Sequence, residues 1–206
     1  ASGVDFTRWQ DNGGAFAAFA APIALGEGAH VLAYQTRDRV ANLEVLRSTT
    51  VLVDATPPVT AFQIGSPAFV DAEGTRYITP TTPVGFAAQD PALPGGAAGA
   101  GVERIEVGVD GGAFAAYSSS LTFAEGRHVV LFRALDRIGN VEAARTLALR
   151  SDATPPVTAF VPGGALYSSS GKDYAPAHLS YALFAVDPLA AEVVFVLESY
   201  YAVPRA

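Results

Sequence analysis

Two loops of this chain carry residue types suited to holding a cation: Asp38 with Asn42, and Asp136 with Asn140, an acid and an amide four positions apart in each case. Oxygen ligands gathered on one short loop suit a hard ion such as calcium. The same residue types also cap a tight turn by accepting hydrogen bonds from nearby backbone N–H groups. No Asp-x-Asp-x-Asp-Gly run accompanies them, so turn capping is the preferred reading, no metal site is assigned, and calcium is the one cofactor left open. His30 and His128 each stand two residues after a Glu-Gly pair. A histidine with no second His or Cys at ligand spacing is a weak metal signal. The serine tracts Ser118 to Ser120 and Ser168 to Ser170 lack a Gly-x-Ser-x-Gly elbow, so no nucleophilic triad and no catalytic residue is assigned. Trp9, Tyr117 and Tyr167 suit a sugar-stacking platform or, more simply, core and edge packing.

The matching positions of these residues have one origin. Residues 13 to 62 and 111 to 160 are two copies of one segment, aligned without a gap at an offset of 98, with 24 identities in 50 positions. The copies open on Gly-Gly-Ala-Phe-Ala-Ala at 13 and 111, and pass through Glu27-Gly28, His30 and Asp38-Arg39 against Glu125-Gly126, His128 and Asp136-Arg137. They close on Asp54 to Phe62, nine residues identical to Asp152 to Phe160. A period near 100 is too long for short solenoid repeats and fits a chain of small globular modules. The similarity runs on to Phe184-Ala185-Val186-Asp187-Pro188 against Phe86 to Pro91, with one deletion.

Val102 to Val109 alternates with the two-residue period of a half-buried strand and runs into Asp110-Gly111, and the first copy has Asn12-Gly13 at the same place. Such pairs supply the positive φ angles of tight hairpins. His128 to Asp136 and His30 to Asp38 form a second strand pattern, in which Val130, Phe132 and Ala134, or Leu32, Tyr34 and Thr36, share the face expected to meet the core. Short strands at roughly ten-residue spacing, broken by Gly, Pro, Asn and Asp, predict an all-β sandwich. The Ala-rich stretches 15 to 21 and 91 to 100 are read as non-helical, because hairpin context takes the first and Gly and Pro interrupt the second. Each Asp-Ala-Thr-Pro-Pro reads as a short, stiff hinge between sandwiches. On this reading residues 1–53 hold the later strands of one module, 54–153 a complete module, and 154–206 the opening strands of a third with a divergent tail.

Half of the residues are apolar and 16% are charged, enough for each module to bury a core. A net charge of −7 offers no basic patch for nucleic acid or an anionic membrane. No apolar run is long enough to span a bilayer as a helix and no signal segment opens the chain, so no membrane insertion is expected and any export signal has gone. Cysteine and methionine are both absent. The first excludes disulfides, and the second suggests a processed product or a window on something longer.

Taken together, Gly101-Val102, Asp110-Gly111-Gly112, Tyr117, Leu121, Glu125-Gly126, His128, Phe132, Ala134, Asp136, Gly139-Asn140, Glu142 and Asp152 to Pro156 give the chain a resemblance to bacterial tandem immunoglobulin-like modules. These are the repeats of the OmpL47-type surface-protein family, and the likeness covers nearly all of residues 1 to 188. The first copy departs at Ala41, where the pattern prefers Gly. The resemblance implies immunoglobulin-like sandwiches in a secreted or cell-surface, non-enzymatic protein for spacing, adhesion or assembly, and it carries no catalytic residue to transfer.

A sandwich lacking its first strands leaves an apolar groove and unpaired backbone groups. The opening strands at 157 to 188 are expected either to belong to a longer array or to complete the module at residue 1 of the next chain, by strand addition at a heterologous interface that propagates as a filament. The tail from Ala190 to Tyr201 is strand-forming and suits either role. The functional expectation is a non-enzymatic extracellular stalk, adhesin shaft or surface filament that associates with itself or with neighbouring modules. The alternative is an accessory carbohydrate-binding region of a secreted hydrolase, with glycans as partners.

Overall fold

The computed structural model describes residues 2–176 and 178–187, and the backbone of 195–198. Among these residues there is no helix, and both Ala-rich stretches are indeed non-helical. Val4–Asp11 (β1), Ala17–Ala18 (β2), Gly28–Asp38 (β3) and Arg47–Val53 (β4) form one antiparallel sheet in the order β2-β1-β3-β4. Val59–Ile64 (β5), Ala68–Val70 (β6), Arg76–Ile78 (β7), Val84–Gln89 (β8), Val102–Val109 (β9), Ala115–Ala116 (β10), Gly126–Asp136 (β11) and Arg145–Ser151 (β12) follow. They build a sheet in the order β10-β9-β11-β12-β7-β6 and a separate β5-β8 pair. Val157–Pro162 (β13), Tyr167–Ser169 (β14), Lys172–Tyr174 (β15), Tyr181–Val186 (β16) and Phe195–Glu198 (β17) form the sheet β13-β16-β17 and the hairpin β14-β15. The strand-forming tail is described only at β17, and the rest of it lies outside the described residues.

The repeated sequence folds the same way twice. Asp11 faces Leu32 and Trp9 faces Tyr34 in the first sheet, as Val109 faces Val130 and Val107 faces Phe132 in the second. The turns between strands differ from ordinary backbone at the expected places: Asn12 and Asp110 sit at φ 49° and 51°, each followed by a glycine in the same left-handed region. That conformation matches the twist of a two-residue hairpin, which is why Asn-Gly and Asp-Gly occur there. Both sheets also carry a register shift at their first strand, between Val4 and Phe6 and opposite Leu135 and Asp136.

The antiparallel pairs β5-β8 and β13-β16 share a pairing register too. Val59 faces Gln89 and Thr60 faces Ala88, while Val157 faces Val186 and Thr158 faces Ala185. This places the single deletion in the connection before β16, so Leu183 takes the place of Phe86, since Phe160 faces Leu183 as Phe62 faces Phe86. Sequence alone had matched Phe184 to Phe86, because an identical letter outweighs pairing when the partner strand is unseen.

The β5-β8 pair lies across the sheet containing β9, β11 and β12, and the two layers enclose a core compatible with a β-sandwich. Val84 and Phe86 from one layer meet Val107, Val130, Phe132, Leu147 and Leu149 from the other, with Ile78 and Phe123 closing the ends. Phe132 lies between two rings, with centroids 5.1 Å from Phe86 and 6.1 Å from Phe62. The expected core face of β11 is realised: Val130, Phe132 and Ala134 are 0%, 1% and 0% exposed. The matching face of β3 is not, since Tyr34 is 39% exposed and Leu32 and Thr36 are only partly buried. The cause is the absence of a covering layer over β1-β4 among the described residues, not a difference in strand geometry.

Candidate functional site

The residues that join the two layers form a specific polar arrangement. Glu142 lies in the turn between β11 and β12, and its backbone N–H donates to the Ala134 carbonyl at 2.9 Å. This aims a buried carboxylate across the layers. It accepts from the Thr60 backbone N–H at 3.0 Å, the Thr60 hydroxyl at 2.5 Å and the Ala134 N–H at 3.0 Å. Arg145 completes the arrangement by donating to the Thr60 carbonyl at 2.5 Å. An enclosed carboxylate is tolerated only with such a full set of donors. The first copy keeps Glu44 and Arg47, and the Glu44 N–H donates to the Thr36 carbonyl at 2.9 Å in the same way. No threonine strand faces Glu44 among the described residues, and its carboxylate instead pairs with Arg47 at 2.8 Å.

The loops first considered for calcium are turn caps in their described hydrogen bonding. Asp136 is fully buried and accepts from the N–H groups of Ile138, Gly139 and Asn140 on one oxygen and from the Asn140 amide on the other. Burial alone would raise its pKa, but these donors outweigh burial and hold it below the usual carboxylate range. Asp38 is likewise held low, first by the Asn42 side chain, and accepts from Val40, Asn42 and Ser2. What sequence spacing missed is that Asp54 and Asp90 converge on Asp136, with one oxygen of each carboxylate within 4.8 Å of the others. Asp54 accepts from Ala100 N–H and Asp90 from Gly101 N–H, while the second Asp90 oxygen is enclosed and unpaired. These positions are 36 and 46 residues apart in sequence, with no local pattern to announce them.

Each repeated histidine is a strut. His30 places Nδ1 2.7 Å from Asp11 and Nε2 2.9 Å from the Gly26 carbonyl. His128 does the same with Asp110 at 2.8 Å and the Ala124 carbonyl at 2.8 Å. Both ring nitrogens therefore face acceptors, which favours the imidazolium. The Asp11 hydrogen bond raises His30, and at His128 the opposing effect of burial is outweighed by Asp110 and Ala124. With both nitrogens engaged, neither ring is free to act as a metal ligand or a base toward serine. The Ser168 hydroxyl, for its part, donates to Asp173. Trp9, Tyr117 and Tyr167 are not brought together: Trp9 lies in β1, Tyr117 packs edge-on to Phe86 and accepts from its N–H, and Tyr167 pairs with Tyr174.

The Asp-Ala-Thr-Pro-Pro segments are pinned alike. Asp54 and Asp152 accept from the N–H two residues on at 3.0 and 2.9 Å, and the Thr56 and Thr154 hydroxyls donate to Glu27 and Glu125 at 2.5 and 2.7 Å. Sequence reading noted both Glu-Gly turns but not that their carboxylates reach forward to the proline segments. No family model matches the chain, and a search of curated proteins finds no match either.

Proposed function

We propose that the chain is a non-enzymatic extracellular structural protein, made of immunoglobulin-like sandwich modules in tandem and serving as a stalk, adhesin shaft or surface filament. The modules are bounded near residues 53 and 153. The observation that carries this reading is the pair of identically tied junctions, Thr56 to Glu27 and Thr154 to Glu125. Two proline residues and an anchored threonine limit bending where one module meets the next, which is what a spacer needs and a flexible linker lacks. The side chains that suggested chemistry support the same reading, since the histidines and loop aspartates are engaged in holding turns.

Immunolabelling of intact cells that make the protein tests the location. Label on unpermeabilised cells is expected, and label that appears only after permeabilisation overturns the extracellular assignment. Retention on a glycan array would replace the spacer role with that of an accessory carbohydrate-binding region.

A further inference from the structure

The sheet β10-β9-β11-β12-β7-β6 carries, on the side away from the core, a transverse row that the fold does not use. Arg127 of β11 faces Arg150 of β12, Arg150 faces Tyr77 of β7, and Tyr77 faces Phe69 of β6. Partners in register share a face, and the adjoining Leu149, Ser151 and Ile78 are turned into the core, so these four side chains stand on the solvent side. Phe69 is 64% exposed, and its ring centroid lies 6.2 Å from that of Tyr77. Among the described residues the side chain of neither arginine makes an ion pair or hydrogen bond. Two like charges directly opposite one another destabilise a sheet, and the first copy of the repeat avoids them, with Ala29 facing Leu52 at the same positions. The aromatic half recurs instead, as Tyr167 facing Tyr174. The surface is hollowed along the row. Tyr77, Arg127 and Arg150 line a depression of about 450 Å³, and Phe69 and Tyr77 line one of about 610 Å³ that reaches Asp152 and Pro155 at the second junction. Glu73 lines the first without pairing to either arginine, and Arg76, which also lines it, carries its guanidinium over the Phe62 ring, 5.5 Å from the centroid.

We propose that this row binds an extended acidic segment of a partner protein, with carboxylates on Arg127 and Arg150 and an apolar or aromatic side chain against Tyr77 and Phe69. Charge complementarity sets the first half of the ligand. A guanidinium presents paired planar donors that match a carboxylate, and two of them stand side by side with no acid of their own. The aromatic half sets the rest, because arginine beside tyrosine and phenylalanine is the composition found at the centres of protein–protein contacts. Four neighbouring strands span about 14 Å, the reach of roughly four extended residues. A chain of net charge −7 disfavours a uniformly charged polymer such as nucleic acid or a sulfated glycan, whose remaining charges would lie against an acidic surface. A polypeptide confines its acids to the arginine half. The inference goes beyond the structural role proposed above and needs only the sheet itself, which would give a shaft a partner along its side.

Selection from a displayed library of random heptapeptides on the immobilised 206-residue chain tests the idea. Enrichment of peptides that place Asp or Glu within about four positions of an aromatic or leucine is expected. A synthetic peptide of the enriched sequence should then bind in solution by fluorescence anisotropy, and more weakly as salt rises from about 0.05 to 0.5 M. The double variant Arg127→Ala with Arg150→Leu installs the residues of the first copy. It is expected to weaken that peptide by ~10-fold or more, with Tm unchanged or raised because the opposed charges are gone. Phe69→Ser, at an exposed position, should weaken it by a similar factor without altering the strand signal in circular dichroism. No enrichment, or equal enrichment on the double variant, overturns the site. A double variant whose Tm falls together with binding assigns the arginines to the fold and overturns it as well. Heparin binding that the double variant loses, with no peptide enriched, overturns the polypeptide in favour of a sulfated glycan. Labelling of intact cells bears on the structural role alone, so the two readings fail separately.

Discussion

Replacing Glu142 by alanine exposes how the two layers are held. The residue is 8% exposed, and its carboxylate is the partner of the Thr60 N–H, the Thr60 hydroxyl and the Ala134 N–H. Truncation strands these donors, of which the two backbone N–H groups lie in enclosed strands where water replaces the lost acceptor poorly. Each orphaned group costs ~1–3 kcal/mol. Relief of the carboxylate's own desolvation offsets part of the sum, and a net loss of about 3 kcal/mol is the expected outcome. For a unit of roughly 100 residues that is a fall in Tm of about 12 °C or more. The assay is urea and thermal denaturation followed by circular dichroism, with Glu44→Ala measured alongside. Glu44 sits at the same place in the repeat but faces no second layer among the described residues, so its removal should change stability by less than ~0.5 kcal/mol. Equal losses in the two variants would refute the reasoning, because they would tie the cost to the turn and not to the bond across the layers.

Three further outcomes follow from single observations. Ala41 sits at φ 72°, a region that costs a Cβ-bearing residue ~1 kcal/mol, so Ala41→Gly should stabilise the first sheet by about that amount in denaturant titration. A Cβ on Gly99 would lie 2.6 Å from the Pro91 carbonyl oxygen and 2.7 Å from an Asp90 oxygen, so Gly99→Ala should lower Tm measurably while Gly95→Ser, at a position open to solvent, acts only through its φ of 87°. The raised pKa of His128 means that the folded state binds the proton more tightly than the unfolded chain. Its contribution is complete below about pH 6.5 and is lost as pH rises through the folded-state value. Stability measured from about pH 6 to 9 should therefore fall less steeply in His128→Gln than in the parent, and an identical slope would count against the strut.

Much of the fold is legible in the residues. Asn12-Gly13 and Asp110-Gly111 mark hairpins because few other pairs accept two consecutive left-handed residues, and the alternation of Val130, Phe132 and Ala134 names the buried face of β11. The same alternation misleads for Leu32, Tyr34 and Thr36. A period of two says which side chains share a face, and burial depends on whether a second layer arrives from elsewhere in the chain or from another molecule. Distance in sequence hid the rest. Asp54, Asp90 and Asp136 meet only after β5-β8 folds onto its sheet, and Glu142 reads as a surface acid until Thr60, 82 residues away, is set opposite it. The identity of Glu44 with Glu142 is visible from the repeat, yet the role of Glu142 needs the layer that carries Thr60.

The tied junctions on which the structural role rests are tested most directly by amide hydrogen exchange at Thr56 and Thr154, in the parent chain and in Glu27→Ala and Glu125→Ala. Slow exchange at both amides in the parent and faster exchange in the variants is the predicted result. Exchange at the rate of an unprotected loop in the parent would contradict it.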